Sequence, residues 1–356
     1  MFIKNLSYEE KVKELKNSQG GLIKWQPGMS LFNSNGAIDS GTLGYRYTIQ
    51  TTTLIQPRIS RQKYYEIPFA DYIPVRMGQG AYLEEIKTNV EYDSAGDFES
   101  GLQGTGQNTR ISQVSTGLAP ITYNIKTWVG GYQYSIMELE KALRSDNWNV
   151  QEGKHKALVK RWQLGLQRMA FLGSYTDPTG VPGLLSNASV NINLSIITAQ
   201  ISSLNYTQFA TLVSLLMQDY FANSNSTVYP THFAIPQSDW NGLAVPINPQ
   251  FPVAGSMMID YLQQAFVKVT GNPNFVIYPV AYADQTNNKG VWTSNGTYRY
   301  CLYRKDEETA CMDVPLDLTQ LAPNTADNFN WNGVAFGQFT GVQIIRVPEF
   351  RYYDHT

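Results

Sequence analysis

From Glu85 to Asp93 the chain alternates, with Ile86, Thr88, Val90 and Tyr92 set against Glu85, Lys87, Asn89 and Glu91. A period of two sends successive side chains to opposite faces, so this segment predicts a strand with one dry and one wet face. A second alternation, through Ile121, Tyr123, Ile125, Thr127 and Val129, predicts another strand. Between them lies Asp93–Pro120, with five glycines and few large apolar side chains. Paired strands need a turn of only about 2–5 residues. A connection this long is expected to project as an extended arm, which is entropically costly and protease-prone unless something covers it.

The pattern then turns helical. Ser135 is a candidate N-cap for a short helix over Ile136–Leu143, and Ser145–Asn149 reads as a turn. A long helix follows from about Val150 to Leu172, its stripe carried by Leu158, Trp162, Leu166 and Met169. It would span roughly 33 Å. Gly173–Asn187 is dense in breakers and reads as a hinge. Beyond Leu204, Phe209, Leu212, Val213, Leu216, Tyr220 and Phe221 mark a helix, as do Met258, Leu262, Ala265, Phe266 and Val269. Strands are predicted at His232–Pro236, Phe275–Tyr278 and Tyr298–Arg304, with β pattern again from Gly333 to Tyr353. The mixture gives an α+β or α/β class. Two domains are expected, one from about 58–190 plus the C-terminal strands and one inserted over about 195–325.

The N-terminal stretch differs. Residues 7–17 predict a short charged helix with Tyr8, Val12 and Leu15 on one face. From Gly20 to about Pro57 there is little periodicity, which is long for a structureless segment inside a domain. Its apolar content (Trp25, Leu31, Phe32, Leu43, Tyr45, Tyr47) is high for a free tail. It is expected to lie across a partner.

Composition narrows the picture. Hydrophobic residues make up 42% and charged residues 16%, so the surface must be polar without being heavily charged. The 23 tyrosines, with Asn and Gln, are expected to supply that polarity and to suit surfaces buried against protein. A Tyr-rich extracellular β-protein would share this composition. Net charge is −2, so nucleic-acid contact would be local and weak. Lys154, Lys156, Lys160, Arg161 and Arg168 lie on the long helix, either as a solvated face or as a surface for nucleic acid. Cys301 and Cys311 form no CxxC pair and read as free thiols of an intracellular protein. No signal peptide or membrane span is visible, so a soluble cytoplasmic protein is expected.

Catalytic groups are hard to find. His155, His232 and His355 have no metal-ligand spacing. Gly101–Gly106 lacks the strand-then-helix context of a phosphate loop, and no GxSxG occurs. The pairs Glu84/Glu85 and Glu307/Glu308 are adjacent in sequence and cannot flank one bond. Neither enzyme activity nor a cofactor or metal is expected.

The order of parts carries a resemblance. Tyr134–Ala142 (YSIMELEKA), Phe171–Asn187 (FLGSYTDPTGVPGLLSN) and Gly333–Asp354 (GVAFGQFTGVQIIRVPEFRYYD) follow in sequence. Together they resemble the Hong Kong 97-type fold of tailed-bacteriophage major capsid proteins, over about residues 60–356. The resemblance implies an α+β capsid fold with an N-terminal arm (1–57), a P domain (58–92 and 121–194, with a spine helix at about 150–172), an E-loop (93–120), an A domain (195–325) and C-terminal strands returning to the P domain (326–356). It implies a subunit that self-assembles into hexamers and pentamers of an icosahedral head around double-stranded DNA, assembled in the host bacterial cytoplasm. A domains would meet around local axes while arms cross to neighbours. Phe98, Leu102, Ile111 and Val114 would be loop anchors, with Glu99 and Arg110 at the rim; Trp25, Leu31, Phe32 and Tyr45 would be contacts of the N-terminal arm. Portal, scaffolding and decoration proteins and non-specific DNA contact follow as expected partners, with no membrane. Some relatives cross-link an E-loop lysine to an asparagine; residues 93–120 hold no lysine, so a non-covalent shell is expected. About 57 residues before the P domain are few for a fused scaffold, so a separate one is expected. The alternatives are an encapsulin-type shell and a carbohydrate-active or adhesive β-protein.

Overall fold

A computed structural model of the chain describes residues 63–94, 113–144, 149–246, 257–325 and 327–355. Within it, Lys63–Thr356 forms a unit of its own. The helix expected over 7–17, the arm from Gly20 to Pro57 with Trp25, Leu31, Phe32 and Tyr45, and the loop residues Phe98, Glu99, Leu102, Arg110 and Ile111 lie outside the described residues.

In chain order the first elements are β1 (Val75–Met77), β2 (Glu85–Ser94), β3 (Ser115–Asn124), β4 (Lys126–Ser135), α1 (Ile136–Arg144) and α2 (Val150–Leu172). Next come β5 (Ile192–Asn193), α3 (Tyr206–Asn223), β6 (His232–Pro236), α4 (Gln237–Gly242), α5 (Met258–Thr270), β7 (Val276–Val280) and β8 (Tyr298–Tyr303). The chain closes with β9 (Ala310–Val314), β10 (Leu316–Gln320), β11 (Asn324–Thr325), β12 (Asn330–Phe339), β13 (Val342–Ile344) and β14 (Phe350–His355).

The helical stripes form where the sequence places them. Ser135 Oγ accepts from Glu138 N at 3.2 Å and starts α1. Asn149 caps α2, accepting from Glu152 N at 3.2 Å, with the Glu152 carboxylate favourably placed in the first turn. Leu158, Trp162 and Leu166 are buried along α2, as is Ala170. α3 begins with a capping box, Asn205 and Gln208 each bonding the other's backbone amide. Val269 of α5, in contrast, points outward.

The two ends of Gly173–Asn187 are packed rather than open: Gly173 and Val181–Leu185 are buried, while Tyr175, Thr176, Pro178 and Thr179 between them are exposed. Gly173 adopts φ 69°, and a Cβ there would stand 2.4 Å from Val181 O. Leu184 N and Leu185 N donate to Ala170 O and Phe171 O at 2.8 and 2.9 Å, and Val342 N to Pro182 O at 2.7 Å. Val181, Leu184 and Leu185 are buried. Glycine permits the left-handed turn, and the breakers make a tight packed corner instead of a flexible one. Gly173→Ala is expected to lower stability by about 1–3 kcal/mol, read as a fall in thermal midpoint with an unchanged circular-dichroism spectrum.

The central layer is a five-stranded sheet in the order β5-β14-β8-β6-β7. Both faces are covered, so its strands read as continuous apolar runs. Phe233, Ile235, Tyr300, Leu302 and Tyr353 face one hydrophobic cluster with α3 and α5. Ala234, Cys301, Tyr303 and Tyr352 join the other, with Leu166, Ala170 and Phe171 of α2. Pairing redraws the expected division between domains. β14 pairs with β8 of the expected insert and with β5 of the expected first domain, so the last strand bridges the two. Conversely, β9 pairs with β1 and β13, and β10 and β11 pair with β12, so residues 310–325 leave the insert.

Tyrosine serves the core as well as the surface, where Tyr82, Tyr92 and Tyr206 are exposed. Tyr220, Tyr300, Tyr303, Tyr352 and Tyr353 are among the largest fully buried side chains. Each hydroxyl finds an acceptor: Glu349 O, Asp239 Oδ2, Tyr72 O, Leu184 O and Leu216 O, at 2.5–3.2 Å. The ring fills the core and the hydroxyl stitches two segments together, which leucine could not do.

His232 is boxed between Tyr278 and Tyr303, its Nδ1 2.7 Å from Thr231 Oγ1. Burial, reinforced by the Lys305 charge, pushes its pKa down to about 4. The unfolded chain therefore takes up this proton first as pH falls. The stabilisation is complete above an unfolded value of about 6.5 and is lost as pH drops from there through about 4. His232→Asn is expected to flatten that part of a urea-midpoint against pH curve.

Candidate assembly surfaces

β2 and β3 pair antiparallel through ten residues each, from Glu85↔Asn124 to Ser94↔Ser115. At about 3.3 Å per residue the ribbon reaches roughly 33 Å. Pairing thus begins well below the expected loop boundaries of 93 and 120. Ile86, Thr88 and Val90 lie opposite Tyr123, Ile121 and Ala119 and form one half-buried stripe, while Tyr92 is exposed. A two-stranded ribbon is marginal alone. Here the base is fastened: Ile125 N donates to Glu84 O at 2.8 Å, Tyr123 OH to Ile344 O at 3.3 Å, and Tyr82 N to Gln338 Oε1 at 2.7 Å. Beyond the base, Leu118 (70% exposed) and Val114 carry apolar surface into solvent.

The alternation from Ile121 to Val129 is not one strand. It breaks at buried Ile125, and the inward parity flips there. In β4 it is Trp128, Tyr132 and Tyr134 that turn inward or half inward, and Thr127 and Val129 face out. β4 pairs with β12 over ten residues, in a four-stranded sheet completed by β10 and β11. Glycines make room for its inner rings: a Cβ on Gly333 would meet Tyr132, and one on Gly337 would meet Trp162. Tyr132, Tyr134 and Trp331 stack in a row at 6.3 and 5.9 Å.

The basic residues of α2 do not gather into one cationic patch. Lys154 bonds Glu138 and Gln133 O at 2.7 Å, Lys156 pairs with Glu152, and Lys160 with Glu66. Arg168 lies 3.9 Å over the Tyr175 ring. Arg161 is exposed. Three of five charges thus have a carboxylate partner, which weakens any attraction to phosphate.

The histidines are not brought together. His155 is on α2, while His232 and His355 lie opposite the two ends of β8. No cluster of three or more potential metal ligands exists among the described residues. Cys301 and Cys311 are buried free thiols with pKa values raised by burial, the latter to about 11. Among the described residues no helix is long and apolar enough to cross a membrane.

The capsid of Myoviridae phage XM1 superposes with a TM-score of 0.69 at 17% identity, covering 86% of this chain and 98% of that one. The capsid of cyanophage P-SCSP1u gives 0.53 at 13%, covering 94% and 99%. A native GTA particle capsid gives 0.53 at 10%, covering 85% and 96%. These likenesses show the Hong Kong 97-type fold. A search of curated proteins finds no match. The profile of the major capsid protein family matches residues 102–355, and the chain belongs to that family. It is a phage major capsid protein, a structural component of the virion; the encapsulin alternative has weaker support.

Proposed function

We propose that this chain builds an icosahedral phage head from hexamers and pentamers of itself, around double-stranded DNA and without catalysis. The observation that carries the reading is the β2–β3 ribbon, which carries exposed Tyr92, Leu118 and Val114 away from its fastened base. Neighbouring copies would cover it, with Phe98, Leu102, Ile111 and Val114 as anchors and Glu99 and Arg110 at the rim. Trp25, Leu31, Phe32 and Tyr45 would make a second set of contacts. The lysine-free segment 93–120 supports a non-covalent shell, held by many weak contacts that closure makes multivalent. Arg161 is the best placed of the α2 cations for non-specific DNA contact. Portal, scaffolding and decoration proteins would be further partners, and assembly would occur in the host cytoplasm. Electron microscopy of the expressed protein tests the reading: closed particles that dissociate in denaturant to single chains are expected. A stable monomer-sized peak in size exclusion would overturn it.

A further inference from the structure

Four asparagines stand directly before a glycine: Asn35, Asn241, Asn295 and Asn332. Such a pair can react with itself. The backbone nitrogen of the glycine attacks the asparagine side-chain carbonyl, and no Cβ on the glycine shields that nitrogen. The reaction is intramolecular, so its rate depends on whether the two groups can reach attack distance. Asn35 lies outside the described residues. The fold treats the other three differently. Asn332 is held in β12, opposite Gln133 of β4 on one side and Asn324 of β11 on the other. Asn241 sits in α4, and its Oδ1 accepts from Gln237 Nε2 at 3.1 Å. Strand and helix dihedrals keep the next amide nitrogen turned away from the side chain, and rotating it means breaking backbone bonds.

Asn295 has neither restraint. It is exposed in the turn just before β8, and its side chain bonds no other group among the described residues. The Gly296 amide donates to Thr293 O at a long 3.4 Å. The loop also fixes the reactive partner. Gly296 adopts φ 75°, and a Cβ there would stand 2.2 Å from Gln285 O and 2.7 Å from Asn288 Oδ1. Only glycine fits. Buried Asn288 closes the loop, donating to Ala283 O and Thr297 O at 3.3 and 2.6 Å and accepting from Thr297 N at 3.1 Å. Asn295 takes no part in that closure, so its side chain can change without opening the loop.

We propose that Asn295 is a site of spontaneous deamidation in the folded chain. Gly296 N bonds to Asn295 Cγ and gives up its proton, while the side-chain nitrogen takes up a proton and leaves as ammonia. Water then opens the cyclic imide at either carbonyl, giving aspartate or isoaspartate. Nothing is oxidised or reduced. Each event adds one negative charge to a chain of net charge −2, so copies that start identical become a mixture with age.

Mass spectrometry tests the site. The native full-length protein is incubated in heavy-oxygen water and then digested in ordinary water, so the label marks only conversion that took place in the folded chain. The tryptic peptide 290–299 is expected to exchange amide for labelled hydroxyl about tenfold faster than the peptides holding Asn241 and Asn332, the factor that one backbone bond of restraint supplies. The rate should rise with pH, because the attacking amide must lose its proton. Asn295→Gln should abolish the change and leave the melting temperature as it was. In denaturing urea the three sites should converge, since their restraints are gone. Conversion at Asn295 no faster than at Asn332 in the native protein overturns the proposal. An advantage of the same size in urea also overturns it, because the fold would not be its source.

Discussion

Deleting residues 98–112 is expected to leave a folded, soluble subunit that forms no particles. The deletion keeps 95–97 and 113–114, enough to turn a hairpin between β2 and β3. The base contacts at Ile125, Tyr123 and Tyr82 lie far from the cut. Folding should therefore survive. Assembly should not, because every subunit loses the same contact. A loss of about 1.4 kcal/mol at each raises the concentration needed for association tenfold, and multivalent closure compounds it. Thermal melting and size exclusion read the first expectation, and electron microscopy reads the second. Normal shells from this variant would remove the ribbon from the assembly mechanism.

Asp354→Ala is expected to destabilise the subunit by about 3–5 kcal/mol, a large share of a typical total of about 5–15. Arg299 Nε and Nη2 grip the Asp354 carboxylate at 2.7 and 2.5 Å, and Nη1 donates to Leu185 O at 2.6 Å. Trp292 and Tyr352 cover the guanidinium at 4.2 and 4.7 Å. Both charges are buried. Removing the carboxylate strands a desolvated cation between two rings, whereas removing both charges does not. Arg299→Met with Asp354→Leu should therefore recover most of the loss in urea denaturation. A single variant as stable as the parent would show that water reaches the site.

Because this pair ties β8 to β14 and to the turn after α2, it also marks a contact that sequence reading does not reach. β14 reads as one of the closing strands, and its two pairing partners lie one in each expected domain. Which sheet receives a terminal strand depends on long-range pairing, and Phe350–His355 has an apolar pattern that suits either. The turn at Gly173 was equally ambiguous: Gly and Pro mark a corner, but only packing decides whether it moves. Buried tyrosines look like surface residues until their hydroxyl acceptors are located. The outer face of the β4–β12 sheet went unnoticed because Ile121 to Val129 reads as one alternation. Only the corner at Ile125 reveals that the inward parity changes.

Other features were legible from local physics. The apolar stripe of α2 and the turn before it placed it at Val150–Leu172, because a 3.6-residue period is local and repeats over many residues. The ribbon's first strand was equally plain, since a two-residue period records which side chains share a face. The long glycine-rich link implied projection by chain entropy alone. By itself, then, the sequence determined the elements, the existence of the ribbon and the class of protein, each set by short-range periodicity and motif order. The tertiary structure decided which sheet each late strand joins, which tyrosines are core, and that the inward parity changes at Ile125. Those depend on contacts between residues tens to more than two hundred positions apart, which no local pattern encodes.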